Sequence, residues 1–391
     1  MPGPSTEFLE EVASTYWPVA LSSFGVALAA TPICRAYARS RRIVDRPDDF
    51  LKPHKRPIPY LGGVAIFLAW ATGIVVATWI EGLNVRPRIM AGVLIAGFLI
   101  MAVGLFDDLR IMKPRPKLLL NIAVGIVVFA FGVGRNVFSG FTDAAIVAKD
   151  PTLAWADQLF SVGLSLFIIV GACNATNLID GLDGLCSGVL GIISVGFFVL
   201  ATFFAAWGPH LEISHERMVL SLAMLGAALG FLPYNRNPAT IFMGDAGSML
   251  LGLNAAVLIL MISDIGQLRW TLGAITVFGL PISDMLLTLL RRWRNARPLM
   301  IGDRSHFYDQ LVDRGYTVRQ VVAISYALTA FFVVVGCVTT IFVRTRYAVF
   351  VYAALATAVI LAVWKLHMVD LVVGREAASP QKEATEVKAR E

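Results

Sequence analysis

Long apolar runs separated by short polar segments set the pattern of this chain. Windows able to cross about 30 Å of hydrocarbon fall at 12–38, 60–80, 89–106, 118–134, 158–174, 185–207, 218–234, 248–263, 270–290, 321–343 and 347–372. The pattern predicts an all-α, polytopic integral membrane protein with about eleven transmembrane helices. The number falls to ten if one of the two short, glycine-containing windows, 89–106 or 248–263, drops out. One membrane-embedded domain is expected over 1–372, followed by a polar, disordered cytoplasmic tail over 373–391. The segment before Tyr16 is acidic and lacks the basic start of a signal peptide, so the first run is read as a retained span.

Composition agrees. The chain is 57% hydrophobic and only 15% charged, where a soluble chain carries about a quarter charged residues. Its net charge is +6, but no basic stretch interleaves with aromatics, so nucleic acid is not an expected partner. Alternate loops hold twenty-three basic residues on one side and eight on the other. The richer side is then cytoplasmic, with the N-terminus outside and the C-terminus inside. The outer loops carry no motif, and the longest, about 135–157, reads as a solvated connection. Cys34, Cys173, Cys186 and Cys337 show no C-x-x-C spacing and read as core packing.

Against this apolar background, several polar clusters fall on the cytoplasmic side. Asn174-Ala-Thr-Asn177-Leu-Ile-Asp180-Gly181-Leu-Asp183-Gly184-Leu places a polar side chain at every third position between two spans. Ionisable groups at membrane depth are costly and default to function; a polar helix cap is the plain alternative. Asp107-Asp108 closes the third span, where adjacent carboxylates suit a divalent cation or bound proton. Lys117 could meet a phosphate, pair with those aspartates, or snorkel to headgroups. Asn235 and Phe242-Met-Gly244-Asp245-Ala-Gly247-Ser248 set an acid in a glycine-rich turn beside an aromatic able to stack on a base. His54-Lys55-Arg56 before Pro57 could cradle phosphate or simply anchor a span. Asp284 sits inside the ninth window, either functional or ion-paired with Arg291. The loop Gly302-Asp303-Arg304-Ser305-His306 carries a histidine that is either solvated or in contact with substrate phosphate.

Together these residues resemble the polyprenyl-phosphate N-acetylhexosamine-1-phosphate transferases, glycosyltransferase family 4. Asn174–Leu185 looks like the family's N-x-x-N-x-x-D-G-x-D-G-L signature, and Asp107-Asp108 and Phe242–Gly247 match its paired aspartates and F-M-G-D-x-G segment. Pro281, Asp284, Asp303-x-x-His306, Leu311 and Gly315 match the last cytoplasmic loop of the teichoic-acid and common-antigen branch. The resemblance implies Mg²⁺, replaceable by Mn²⁺, held by Asp245 with Asp108 and Asn177 close by. It implies a catalytic cleft of Asp107, Asp108, Asp180, Asp183 and His306. Asn235, Asp183 and Phe242 would hold uracil, while Asn174, Lys55, Lys117, Asp303 and Arg304 would help place the anionic substrates.

The implied reaction joins a UDP-N-acetylhexosamine, N-acetylglucosamine first among them, to polyprenyl phosphate at the cytoplasmic face of the cell membrane, releasing UMP. Such a step initiates assembly of a cell-envelope glycan. Members of the family can dimerise, which leaves a homodimer open. Where the branch shows H-x-H-H, this chain has His306-Phe307-Tyr308-Asp309. The triple histidine of the phospho-N-acetylmuramoyl-pentapeptide transferases is also absent, which argues against the pentapeptide substrate. The rival of a different class is an ion-coupled transporter, which would spread its acids along a path across the membrane. Here they gather at one face, with Asp284 a partial exception.

Overall fold

A computed structural model describes residues 4–45, 57–81, 83–110, 112–140, 151–207, 211–295 and 306–369. Lys55, Asp303, Arg304 and the tail 373–391 lie outside the described residues. The architecture is helical: α1 Thr6–Ser40, α2 Gly62–Ala77, α3 Pro87–Leu109, α4 Pro114–Ala130, α5 Pro151–Ile179, α6 Leu185–Trp207 and α7 Leu211–Asn235. It continues with α8 Gly244–Ser263, α9 Leu268–Val277, α10 Gly279–Arg294, α11 Phe307–Asp313, α12 Val318–Phe342 and α13 Thr345–Lys365. Beyond the helices, a two-residue ribbon pairs Val44–Asp45 with Ile58–Pro59 in antiparallel register.

Every apolar window of the sequence contains helix, but the windows are not equivalent. Among the described residues, eight helices are long and apolar enough to cross a membrane, or nine if the bent pair α9–α10 is one span. The chain is thus a multi-pass membrane protein. Helices α2 and α4, with 16 and 17 residues, lie at the short end of the lengths that cross a hydrocarbon core, about 17–25 residues. The window at 270–290 is not one helix, because α9 and α10 meet at an angle of 76°. Pro281 explains the break: its ring excludes the carbonyl four residues earlier, and that residue is Val277, where α9 ends.

The window at 248–263, one of the two weakest by length, proves to be the axis of the fold. Every residue of α8 from Ala246 to Ser263 is buried, and a helix apolar all round belongs inside its bundle. Mid-span, Asn254 accepts from the Trp70 indole at 2.9 Å and donates to the Leu220 carbonyl at 3.3 Å, tying α2, α8 and α7 without an orphaned polar group.

The entry to α8 is built by glycines. Gly244 takes φ +65°, a left-handed turn that L side chains avoid. A Cβ on Gly104 of α3 would lie 2.5 Å from the Ala246 nitrogen, so α3 reaches near backbone contact there. From the other side, Gly62 and Gly63 donate to the Phe242 and Met243 carbonyls at 3.0 and 2.9 Å.

At the opposite end of the bundle a second polar cluster is buried. Glu216 pairs with Arg86 at 2.7 Å, and Tyr16 meets His215. Asp264 accepts from the Gly134 and Asn136 amides at 3.1 and 2.9 Å. The first part of the connection expected to be a solvated loop is therefore packed against the end of α8. Residues 141–150 of that loop lie outside the described residues.

Candidate active site

The first turn of α8 presents Asp245 where the ends of α3, α4 and α5 converge. The Lys117 ammonium, from α4, bridges the Asp107 carboxylate at 2.8 Å and that of Asp245. Asp107 is steadied on its other oxygen by the Met112 amide at 2.6 Å. Asn177 donates its amide to the second Asp245 oxygen at 2.7 Å and to the Ser248 hydroxyl at 3.2 Å. Four helices thus deliver two carboxylates, an ammonium and a carboxamide to one centre.

Asp108 does something different from its neighbour. Its two oxygens accept from the Asp245 and Ala246 amides at 2.9 and 3.3 Å, so it caps the α8 N-terminus, whose first amides lack intrahelical partners. The Tyr60 hydroxyl holds the Asp108 carbonyl at 2.8 Å.

The Asn174–Leu185 stretch forms the floor. Asn174 and Asn177 occupy the last turns of α5, and Asp180 and Asp183 follow its end at Ile179. Asn174 spends its amide on the Val170 carbonyl of its own helix at 2.7 Å. Asp180 has no hydrogen-bond or ion-pair partner for its carboxylate among the described residues. Burial pushes its pKa well above the usual carboxylate range, and the negative charges of Asp245, Asp108 and Asp183 push the same way. Asp183 turns to the α7–α8 loop, accepting from Asn237 at 3.0 Å and the Ala239 amide at 2.9 Å.

His306 enters from the start of α11. Its Nδ1 lies 2.8 Å from Asp284 and 3.3 Å from the Thr288 hydroxyl, and the other Asp284 oxygen accepts from the Phe307 amide at 2.9 Å. The Tyr308 ring stacks on His306 at 5.2 Å, and its hydroxyl donates to the Leu178 carbonyl on the floor at 2.8 Å.

Among the described residues, no three His, Cys, Asp or Glu side chains converge tightly enough to hold a metal ion by themselves. The donor chemistry nevertheless suits one. Asp245, the unpartnered Asp180 and the amide oxygen of Asn177 are hard oxygen donors of the kind that Mg²⁺ takes, with water or substrate phosphate completing the shell. Asp108 fits that role less well, since both its oxygens already serve backbone amides.

A model of "Glycosyl transferase family 4" matches residues 90–263, the span holding Asp107, Asp108, Lys117, the floor and Asp245. A "Probable undecaprenyl-phosphate N-acetylglucosaminyl 1-phosphate transferase" of Bacillus subtilis (strain 168) is 32% identical over 302 residues, covering 77% of this chain and 78% of its own. The chain belongs to glycosyl transferase family 4. A "Decaprenyl-phosphate N-acetylglucosaminephosphotransferase" of Mycobacterium tuberculosis (strain ATCC 25618 / H37Rv) is 34% identical over 313 residues, covering 75% of this chain and 74% of its own. A "Phospho-N-acetylmuramoyl-pentapeptide-transferase" of Chlorobium luteolum is 30% identical over 341 residues, covering 82% and 90%.

Within this family 4 chain, the geometry gathers Asp107, Lys117, Asn177, Asp180 and Asp245, and joins His306 to the floor through Tyr308. Three further residues from the sequence reading have definite surroundings. Asn235 is buried beneath the floor: its oxygen accepts from the Gly184 amide and the Ser187 hydroxyl at 3.1 Å each, and its nitrogen donates to the Ile241 carbonyl at 3.2 Å. These bonds fix the turn after the floor to the α7–α8 loop. The side-chain partner of Asp284 is His306, at 2.8 Å, rather than Arg291. His306 itself is buried rather than solvated.

Residues that sequence reasoning passed over include Tyr308, Thr288 and Tyr326, whose hydroxyl holds the Gly184 carbonyl at 2.6 Å. Ser248 was legible as a one-turn neighbour of Asp245 on a helix. Thr288 stands one turn from Asp284 in the same way. Tyr326 comes from a distant span and carried no local signal.

Proposed function

We propose that this enzyme transfers N-acetylglucosamine 1-phosphate from UDP-N-acetylglucosamine to a polyprenyl phosphate, releasing UMP, at the cytoplasmic face of the membrane. The observation that carries the reading is the Lys117 bridge between Asp107 and Asp245, set beside the unpartnered carboxylate of Asp180. Two relatives whose names specify N-acetylglucosamine and a polyprenyl phosphate support the donor and the acceptor. The excess of Lys and Arg on the loops of this end supports the orientation.

In this reading an oxygen of the lipid phosphate attacks the phosphorus that carries the sugar. The bond from that phosphorus to the oxygen bridging the two phosphates breaks, and UMP departs with the bridging oxygen. Such transfer depends on positioning and charge neutralisation more than on covalent help from the protein. Lys117 supplies fixed positive charge where the acceptor and donor phosphates meet. A phosphate monoester has its second pKa near ~6, so the acceptor is largely dianionic at neutral pH, and Asp107 orients Lys117 rather than removing a proton. Asn177 holds Asp245 in register. Bound by Asp245, Asp180 and Asn177, Mg²⁺ would offset diphosphate charge and make UMP a better leaving group. Phe242, half-buried at the cleft edge, stacks on uracil, with Asp183 beside it. His306, held by Asp284, faces the donor diphosphate, and Lys55, Asp303 and Arg304 are assigned to the anionic substrates by the family resemblance alone.

The test is a panel of UDP-N-acetylhexosamines with purified protein, polyprenyl phosphate and Mg²⁺. UMP release highest with UDP-N-acetylglucosamine supports the assignment. Release only from the UDP-linked muramoyl pentapeptide would move the enzyme to the second kind of relative, and release from none would overturn the reading.

A further inference from the structure

The end of the bundle opposite the candidate active site is poor in basic residues, with eight against twenty-three by loop. Three of those eight, Arg86, Arg88 and Arg135, gather around one cleft of about 290 Å³, whose remaining wall includes Pro87, Phe131 and Gly132. The cleft lies where α3 begins and α4 ends. Pro87 at the cleft and Asp107 share α3, and at a rise of 1.5 Å per residue they stand roughly 30 Å apart.

The three guanidinium groups are only lightly engaged. Arg86 uses its Nε on the buried Glu216 at 2.7 Å. Arg88 and Arg135 share one acceptor, the Ala130 carbonyl, at 3.2 and 3.4 Å. Each guanidinium carries five N–H donors in a fork matched to phosphate oxygens, and most of these donors remain unspent. The charges facing the cleft from behind are Arg217, Glu216 and Asp264, the last already accepting two backbone amides. Counting all six groups leaves a surplus of two positive charges.

Below the cleft the protein offers apolar surface to the bilayer. On α3 the exposed stripe runs from Arg88 through Ala91 and Ile95 to Phe98, and on α4 from Ala130 through Ile126 and Ala123 to Leu119. Those spacings of three and four keep each set on one helix face. The α3 stripe starts at Arg88, and the α4 stripe at Ala130, whose carbonyl accepts from Arg88 and Arg135.

We propose that this cleft binds an anionic glycerophospholipid of the leaflet opposite the active site. The arginines take the headgroup phosphate, and the acyl chains follow the α3 and α4 stripes. The site is independent of the transferase reading, since it shares no residue with that reaction.

Native mass spectrometry of delipidated full-length protein, titrated with phosphatidylglycerol or phosphatidylcholine, tests it. Retention of phosphatidylglycerol at least tenfold above phosphatidylcholine is expected. The R88Q/R135Q double variant should lose most of that preference while keeping its UMP release, which reports an intact fold. Arg86 is left in place because its removal would strand the buried Glu216. Equal retention of the two lipids by the wild-type protein overturns the proposal whatever the variant does, and so does a preference that survives in an active double variant. Displacement of phosphatidylglycerol by millimolar inorganic phosphate would show a free-anion site and overturn the lipid assignment.

Discussion

Lys117 is ion-paired with Asp245 across the junction of α4 and α8, and the same ammonium holds Asp107 at 2.8 Å. The pairing turns two carboxylates that would repel one another into a single prepared site. Losing a preorganised charge of this kind costs about 10²–10³ in kcat, so Lys117→Ala is expected to fall by that much. Lys117→Arg, with its planar and longer head, should keep the folded state yet recover little activity. Steady-state kinetics beside thermal unfolding would check both, and a Lys117→Ala rate within threefold of wild type would remove Lys117 from the reacting centre.

Tyr308 ties α11 to the Leu178 carbonyl. A net hydrogen bond is worth about 0.5–1.5 kcal/mol, or roughly two- to twelvefold in an equilibrium constant. Tyr308→Phe should therefore raise the donor KM by that factor while kcat changes less. Tyr308→His, too short to span to Leu178, should behave like Tyr308→Phe. If kcat falls and KM holds, Tyr308 acts in the chemical step instead of positioning the loop.

Gly104 has no space for a side chain, since a Cβ there would lie 2.5 Å from both the Asp245 carbonyl carbon and the Ala246 nitrogen. Overpacking costs about 1–3 kcal/mol, and here it would also displace Asp245. Gly104→Ala is expected to lower Tm and lose most activity. Gly163→Ala on α5, where nothing lies within 4 Å, serves as the neutral comparison. Calorimetry or nanoscale fluorimetry in detergent would show the contrast.

The Trp70–Asn254 bond at 2.9 Å lies mid-span, where an unmet donor costs about 1–3 kcal/mol. Asn254→Leu should lose stability on that order, and the double change Trp70→Phe with Asn254→Leu should recover part of it. A double-mutant cycle showing no coupling would mean the pair is not formed.

How much of this was legible in the sequence differs from residue to residue. Every apolar window contains helix, because a run of that length leaves its backbone few ways to satisfy itself in hydrocarbon. The break between α9 and α10 was available in Pro281 but was hidden by an unbroken apolar composition. The centrality of α8 was not legible at all. Its short, glycine-containing window looked weak, although the small residues at its entry are what let α2 and α3 close upon it. At the site, the carboxylates and Lys117 stood out as charges at membrane depth. Asn235 and Asp108 stood out equally, yet hydrogen-bond partners brought by the fold turned them toward backbone. Tyr308 and Tyr326 were invisible as contacts, because their partners lie 130 and 142 positions away.

The measurement that bears most directly on the central claim is the product balance of a single reaction. Purified protein, UDP-N-acetylglucosamine, polyprenyl phosphate and Mg²⁺ are sampled by liquid chromatography and mass spectrometry, beside an Asp245→Asn variant and a chelated control. One UMP for each polyprenyl-diphosphate-sugar is predicted, lost in both comparisons. Release of UDP, or lipid product that persists without Asp245 and without divalent cation, would contradict it.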